Sequence, residues 1–148
     1  MQPSLKFSDQ VAVLSTIDPA STAAGTVLTA WVPMAKWHSL AAILQTGALG
    51  ASATVDAKLR QATDASGTSA KDITGKAITQ LVKASNDNDQ VILQCTGEDL
   101  DVANSFTHVA LSVTVGTAAS LISAVVLGLN GRYGPASDFD DADVVEIV

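Results

Sequence analysis

The chain has 148 residues, which is enough for one domain with its own core and too few for two large ones. Hydrophobic residues make up 47% of it and charged residues only 16%, so its surface must be largely polar but uncharged, and covering such a surface with another protein costs little desolvation. The net charge of −7 argues against nucleic acid as a direct partner, and the single cysteine, Cys95, excludes an intramolecular disulfide.

Residues 1–10 are predicted to form an N-terminal arm. Their apolar side chains, Pro3, Leu5 and Phe7, are not followed by the continuous apolar run of a signal peptide. We expect the arm to extend onto a neighbouring subunit and to become ordered when it binds. These three residues are therefore interface candidates.

Strands are expected from Val11 onwards, because apolar and polar residues alternate with period two. A second strand over residues 26–32 is interrupted at Pro33, as is typical of an edge or a bulge. Residues 37–49 favour a strand and a turn, which lead into a further alternating segment that begins at Val55.

The second half of the chain continues the same pattern. Residues 77–82 are compatible with a strand or one short helix, and residues 86–89 form a turn cluster of Asn and Asp. Further strands are expected over residues 91–96, 109–115 and 120–129. The loop between the first two of these is expected to turn Leu100 and Val102 inward.

The longest uncharged stretch, residues 102–131, has to be compared with a membrane span. A helix of about 20 apolar residues crosses a bilayer. This stretch contains many Ser and Thr residues and alternates with period two in its first half, so two buried strands joined by a turn are the better interpretation. We therefore predict no membrane partner.

About eight short strands without a long amphipathic helix predict an all-β fold, a single-domain β-sandwich that is jelly-roll-like. The sandwich is expected over residues 11–136. The arm of residues 1–10 precedes it, and an acidic C-terminal segment of residues 137–148 follows it and is expected to be solvated.

No pattern of residues that would support catalysis is found in the sequence. The spacings of His38, His108 and Cys95 fit neither a metal site nor a nucleophile–base pair, so we interpret them as two surface or interface histidines and a buried, inert thiol. The cluster at residues 86–89 lacks the Gly and the distant Glu of an EF-hand. We predict that the protein is not an enzyme and needs no cofactor or metal.

Further interface candidates are residue types that dominate contact hot spots. Trp31 and Trp37 flank Met34, and they fit either a cluster at the edge of the core or an anchor for a partner. Arg132 and Tyr133 follow the last apolar strand and fit the rim of a contact.

Several segments resemble small structural proteins of tailed bacteriophages. They are VDAKLRQATD at residues 55–64, GTSAKDITGKAITQL at 67–81, FTHV at 106–109 and GLNGRY at 128–133. The resemblance covers residues 30–148 and is less clear before them.

The resemblance implies a virion component, a capsid decoration (cement) protein that binds the outside of a phage capsid and stabilises the assembled shell. The implied partners are the major capsid protein and further copies of the chain, as a trimer on the capsid surface. A tail or head–tail connector component is the alternative within the same virion. A carbohydrate-binding β-sandwich used for host attachment is the alternative from another class.

Overall fold

A computed structural model describes residues 4–148, so Pro3 lies outside the described residues. The strands are β1 (Val11–Thr22), β2 (Gly25–Leu28), β3 (Val32–Pro33), β4 (Trp37–Thr46), β5 (Thr54–Ala62), β6 (Lys71–Ala77), β7 (Leu81–Val82), β8 (Gln90–Thr96), β9 (His108–Gly116) and β10 (Ser120–Gly131). One α-helical turn, α1 (Phe7–Gln10), precedes them. Single 3₁₀ turns cover Met34–Lys36, Gly97–Asp99, Val102–Asn104 and Ala136–Phe139.

The strands form two antiparallel sheets, which confirms the predicted all-β sandwich. The four-stranded sheet has the order β1-β10-β4-β8. The six-stranded sheet has the order β2-β9-β5-β6, with β3 also paired to β9 and β7 to β5. The first strand, β1, pairs with the last strand, β10, so residues near the two ends of the chain are hydrogen-bonded to each other.

The alternation in sequence explains which side chains form the core between the sheets. In β5, Val55 and Leu59 are fully buried, while Asp56 and Lys58 on the opposite side are only half-buried. In β9 the inward side chains of Val109, Leu111, Val113 and Val115 are almost completely buried. These residues belong to one continuous hydrophobic core.

The predicted strand over residues 26–32 is divided into β2 and β3 by the buried Thr29. Its main-chain N–H donates to the carbonyl of Leu111 at 3.0 Å, and its Oγ1 accepts from the N–H of Leu111 at 2.9 Å. The side-chain hydroxyl thus replaces a main-chain acceptor in the ladder. The next N–H, of Ala30, leaves the sheet and donates to Oγ of Ser15 at 3.1 Å.

The prediction that Val102 turns inward was wrong, although Leu100 is buried as expected. Val102 is 65% exposed and begins a 3₁₀ turn that ends at Ser105 in the left-handed conformation. Successive side chains of a 3₁₀ turn are about 120° apart, so the period-two argument does not apply there.

The uncharged stretch of residues 102–131 forms β9 and β10, joined by a short turn and placed in different sheets. This confirms two strands in place of a membrane helix. Among residues 4–148, no helix is long and apolar enough to cross a membrane.

The acidic segment is not solvated along its whole length, contrary to the expectation. Phe139 is half-buried and packs against the ring of Trp37. Oδ1 of Asp140 accepts from the N–H of Val13 at 2.7 Å, and the N–H of Asp141 donates to the carbonyl of Val13 at 2.7 Å. The segment therefore covers part of the outer edge of β1.

Candidate protein interface

The two sheets differ sharply in charge. The strands of the four-stranded sheet contain one charged residue, Asp18 in β1. In the six-stranded sheet, β5 and β6 together contain six, namely Asp56, Lys58, Arg60, Lys71, Asp72 and Lys76. The sandwich thus has one nearly uncharged side and one charged side.

The register of the four-stranded sheet aligns apolar side chains across all its strands. Val125 of β10 pairs with Thr16 of β1 and with Ile43 of β4. Ile43 in turn pairs with Ile92 of β8. Because paired residues of an antiparallel sheet point to the same side, these side chains form one continuous row.

A second row lies beside the first. Leu127 pairs with Val13 and with Ala41, and Ala41 pairs with Gln94. The residues that alternate with both rows in β4, β8 and β10 belong to the core, so the rows point outward. We name this surface the outer face; it consists of Val13, Thr16, Ala41, Ile43, Ile92, Gln94, Val125 and Leu127.

The outer face is open to solvent, although its side chains shield one another. Ile92 is 66% exposed, and Ile43, Val125 and Leu127 are half-buried. A third row, in which Gln45 pairs with both Ser123 and Gln90, borders it with polar but uncharged groups. The result is an apolar surface with a polar border, in which Asp18, hydrogen-bonded to the hydroxyl of Thr16 in β1, is the one charged residue that the strands of this sheet contribute.

The opposite side of the sandwich holds an ion-pair network. Lys58 Nζ lies 2.8 Å and Arg60 Nε 3.1 Å from the two carboxylate oxygens of Asp72. The hydrogen bond from Lys58 holds the pKa of Asp72 below its ordinary value. These groups are satisfied and hydrated, so covering them would cost more than covering the outer face.

A cavity of about 550 Å³ opens at one end of the sandwich. Its lining residues are Met34, Ala35, His38, Thr96, Gly97, Glu98, Leu100, Val102, Phe106, Thr107 and Arg132. Met34, Leu100 and Phe106 are buried and form its apolar wall. The exposed His38, Glu98 and Arg132 add one imidazole, one carboxylate and one guanidinium.

Two of the predicted interface residues, Trp37 and Met34, lie in the interior. Trp37 is 1% exposed and packs edge-on against Phe139, with ring centroids 5.9 Å apart. Met34 is 5% exposed. Trp37 therefore belongs to the core-edge cluster that its sequence context allowed, with no surface left for a partner, and Met34 contributes only to the wall of the cavity.

Trp31 and the arm residues occupy separate places. Trp31 is half-buried, and its indole lies so close to Gly67 that a Cβ there would be 2.5 Å from Nε1. Leu5 is 47% and Phe7 59% exposed, at and just before α1. Of the predicted residues, the structure brings Arg132 and Met34 together in the cavity, and Nε of Arg132 also donates to the carbonyl of Trp37. Tyr133 is 64% exposed.

The side chains that could support catalysis, Cys95, His38 and His108, do not lie together in one site. Cys95 is buried, and burial raises the pKa of its thiol to about 11. His38 is exposed in the cavity, whereas His108 Nδ1 lies 2.9 Å from the hydroxyl of Thr107. Within residues 4–148, no three His, Cys, Asp or Glu side chains are grouped so that they could hold a metal ion.

The Asn-Asp cluster at residues 86–89 is engaged with protein donors. Oδ1 of Asp87 accepts from the N–H of Leu49 at 2.9 Å, and Lys83 donates to its other oxygen. Nδ2 of Asn86 donates to Oδ2 of Asp89 at 2.9 Å. These contacts fasten the turn before β8 to the loop after β4.

The outer face was not predicted, because strand pairing cannot be deduced from local alternation. The available signal was the absence of charged residues from three long strands, β4, β8 and β10.

Comparison with known proteins gives no family assignment. No protein-family model and no curated protein matches the chain. Among solved structures, the empty virus-like particle of Cowpea Mosaic Virus aligns over 90% of this chain and 89% of that chain, at 12% identity and a TM-score of 0.46. The infectious bursal disease virus Gx strain aligns over 88% of this chain and 34% of that chain, at 14% identity and a TM-score of 0.41.

A xylan-binding module, CBM15, aligns over 84% of this chain and 94% of that chain, at 11% identity and a TM-score of 0.34. At such low TM-scores, neither this likeness nor the two viral ones assigns a function to the chain.

Proposed function

We propose that the chain is a virion structural protein, a capsid decoration (cement) protein that binds the outside of a phage capsid and stabilises the assembled shell. The observation that carries this proposal is the outer face, an apolar surface across four strands without a charged side chain in its two rows. Covering such a surface with another protein costs little desolvation. The phage context rests on the resemblance of residues 55–81, 106–109 and 128–133.

The size of the outer face favours a weak contact that is repeated many times. The whole solvent side of the four-stranded sheet, with strands about 4.8 Å apart and roughly nine residues long, has an area of roughly 500 Å², and the outer face is only part of it. A stable interface of standard size buries about 800 Å² on each partner. One copy would therefore bind weakly, and many copies on one lattice would gain avidity.

The assembled shell would be stabilised by thermodynamic linkage between binding and assembly. A protein that binds the assembled shell and not its free subunits lowers the free energy of the shell by mass action. The partner in this proposal is the major capsid protein, and the chain acts as a homotrimer on the capsid surface. The uncharged outer face covers the shell, and the charged side of the sandwich remains in water.

The test is the melting of particles. Phage particles that lack this protein are mixed with increasing amounts of it, and shell melting is followed by calorimetry. We expect the melting temperature to rise with occupancy until the sites are filled. Equal melting temperatures with and without the protein would overturn the proposal.

Copy number separates this proposal from a tail or head–tail connector component. A decoration protein occurs in numbers comparable to the capsid subunits, whereas a connector component occurs in a single ring. Quantitative mass spectrometry of purified particles distinguishes the two. Glycan-array binding would instead support the carbohydrate-binding alternative.

A further inference from the structure

Residues 144–148 are here named the tail segment, and most of its apolar side chains are exposed to solvent. The segment forms no regular structure, and Val145 is 95% and Ile147 55% exposed. Glu146 lies between these two residues and is exposed as well. A short extended segment with two aliphatic side chains around one carboxylate is a suitable ligand for an apolar site that contains one cation.

The cavity at the end of the sandwich has this character. Its volume of about 550 Å³ is in the range of pockets that hold ligands of the size of a short peptide. Leu100 and Phe106 form a buried apolar wall, and Val102 at 65% exposure offers further apolar surface. We propose that the tail segment of one copy of the chain binds in the cavity of a second copy.

Arg132 supplies the cation. The main-chain N–H of Arg132 donates to the carbonyl of Lys36 at 2.8 Å, and Nε of its guanidinium donates to the carbonyl of Trp37 at 3.3 Å. The guanidinium is thereby held in place, and its two terminal nitrogens can still donate. Five other cations of the chain form ion pairs: Lys58, Arg60, Lys71, Lys76 and Lys83. Within residues 4–148, Arg132 has no carboxylate at ion-pair distance, and Glu146 of the second copy supplies one.

Two further titratable groups line the cavity and restrict what can bind. Glu98 repels a strongly anionic ligand, which excludes the Asp-rich residues 138–143 as the occupant. It can also accept a hydrogen bond from a main-chain N–H of an incoming extended segment. His38 adds a donor or acceptor at the rim. The occupant is therefore mainly apolar with one carboxylate, as the tail segment is.

The position of the tail segment makes the contact head-to-tail. Asp140 and Asp141 fasten the preceding residues to Val13 in β1, at one edge of the four-stranded sheet. The cavity includes Thr96, the last residue of β8, at the opposite edge. A copy that donates on its β1 side and accepts on its β8 side forms a heterologous interface, which closes into a ring when the rotation permits.

Sedimentation equilibrium over a range of concentrations tests this inference. We expect the wild-type chain to self-associate, and Val145→Asp/Ile147→Asp to weaken association at least tenfold. The control, Val82→Asp, places one Val→Asp change at an exposed valine outside the cavity and should associate like the wild type, whereas Val145→Asp alone should already weaken association. A monomeric wild type, or tail variants that associate normally, would overturn the inference.

A charge exchange tests the ion pair separately. Arg132→Glu should weaken association, and the double variant Arg132→Glu/Glu146→Arg should restore most of it. Failure of the restored pair would overturn the assigned contact. Because the tail variants change only exposed side chains, they remain decisive even if Arg132→Glu fails to fold. Self-association is measured on the free protein and capsid binding on particles, so loss of self-association and loss of capsid binding are separate results.

Discussion

Gly128 lies directly against the indole of Trp37, so close that a Cβ at residue 128 would overlap with the ring. The ring is buried with Ala12 and Ala136, and Phe139 packs against its edge. Gly128→Ala should therefore force the ring or the strand to move, at a cost of about 1–3 kcal/mol. Urea unfolding measures this cost.

Gly97→Ala is the matched control, because a Cβ at residue 97 meets no atom within 4 Å. We expect it to be nearly neutral. Equal effects of both substitutions would contradict the packing of Trp37 against Gly128.

The hydroxyl of Thr29 accepts a hydrogen bond from the main-chain N–H of Leu111 in β9, and the methyl group of Thr29 makes no hydrogen bond. Thr29→Val keeps the shape of the side chain and leaves the N–H of Leu111 without its acceptor. The expected loss of unfolding free energy is about 1–3 kcal/mol, the cost of a buried unsatisfied donor. Thr26→Val, at the exposed Thr26–Thr114 pair, should change stability much less.

How far the sequence predicts this fold depends on the distance between the residues involved. Alternation within β5 and β9 is local, and it was sufficient to predict the strands and their buried sides. The position of Trp37 depends on Ala136 and Phe139 from the far end of the chain, so its sequence neighbours left both interpretations open. The outer face also depends on pairing between distant strands, and its alignment of Ile92 with Val125 through Ile43 is visible only in the assembled sheet.

Stability should fall on acidification, and Asp87 should contribute to this fall. The hydrogen bond from Lys83, assisted by the N–H of Leu49, holds the pKa of Asp87 below its ordinary value of 3.8. A depressed folded-state pKa stabilises the protein above the ordinary value, and the gain is lost as pH falls through the folded-state pKa. Unfolding free energies measured between pH 7 and pH 2 should decrease mainly at the acidic end of this range.

Asp87→Asn should flatten this dependence by removing one of the titrating groups, and Asp143→Asn serves as the control. The account would be contradicted if Asp87→Asn left the difference in unfolding free energy between neutral and acidic pH unchanged.

Cys95 should be unreactive in the folded protein. The side chain is 2% exposed, and burial raises the pKa of its thiol to about 11, so very little thiolate is present at pH 8. Reaction with a thiol reagent such as DTNB should be slow in buffer and complete in denaturant. Rapid stoichiometric labelling in buffer would show that the edge strand β8 opens readily or that the thiol is not buried.

The central claim, that the outer face covers a capsid surface, is tested most directly by co-sedimentation with particles that lack the protein. Ile92→Asp places a charge at the most exposed apolar residue of the outer face, and Leu28→Asp places the same charge at an exposed leucine in β2 of the six-stranded sheet. We predict that Ile92→Asp folds normally and loses most of its binding, while Leu28→Asp binds like the wild type. Equal binding of all three proteins would contradict the account.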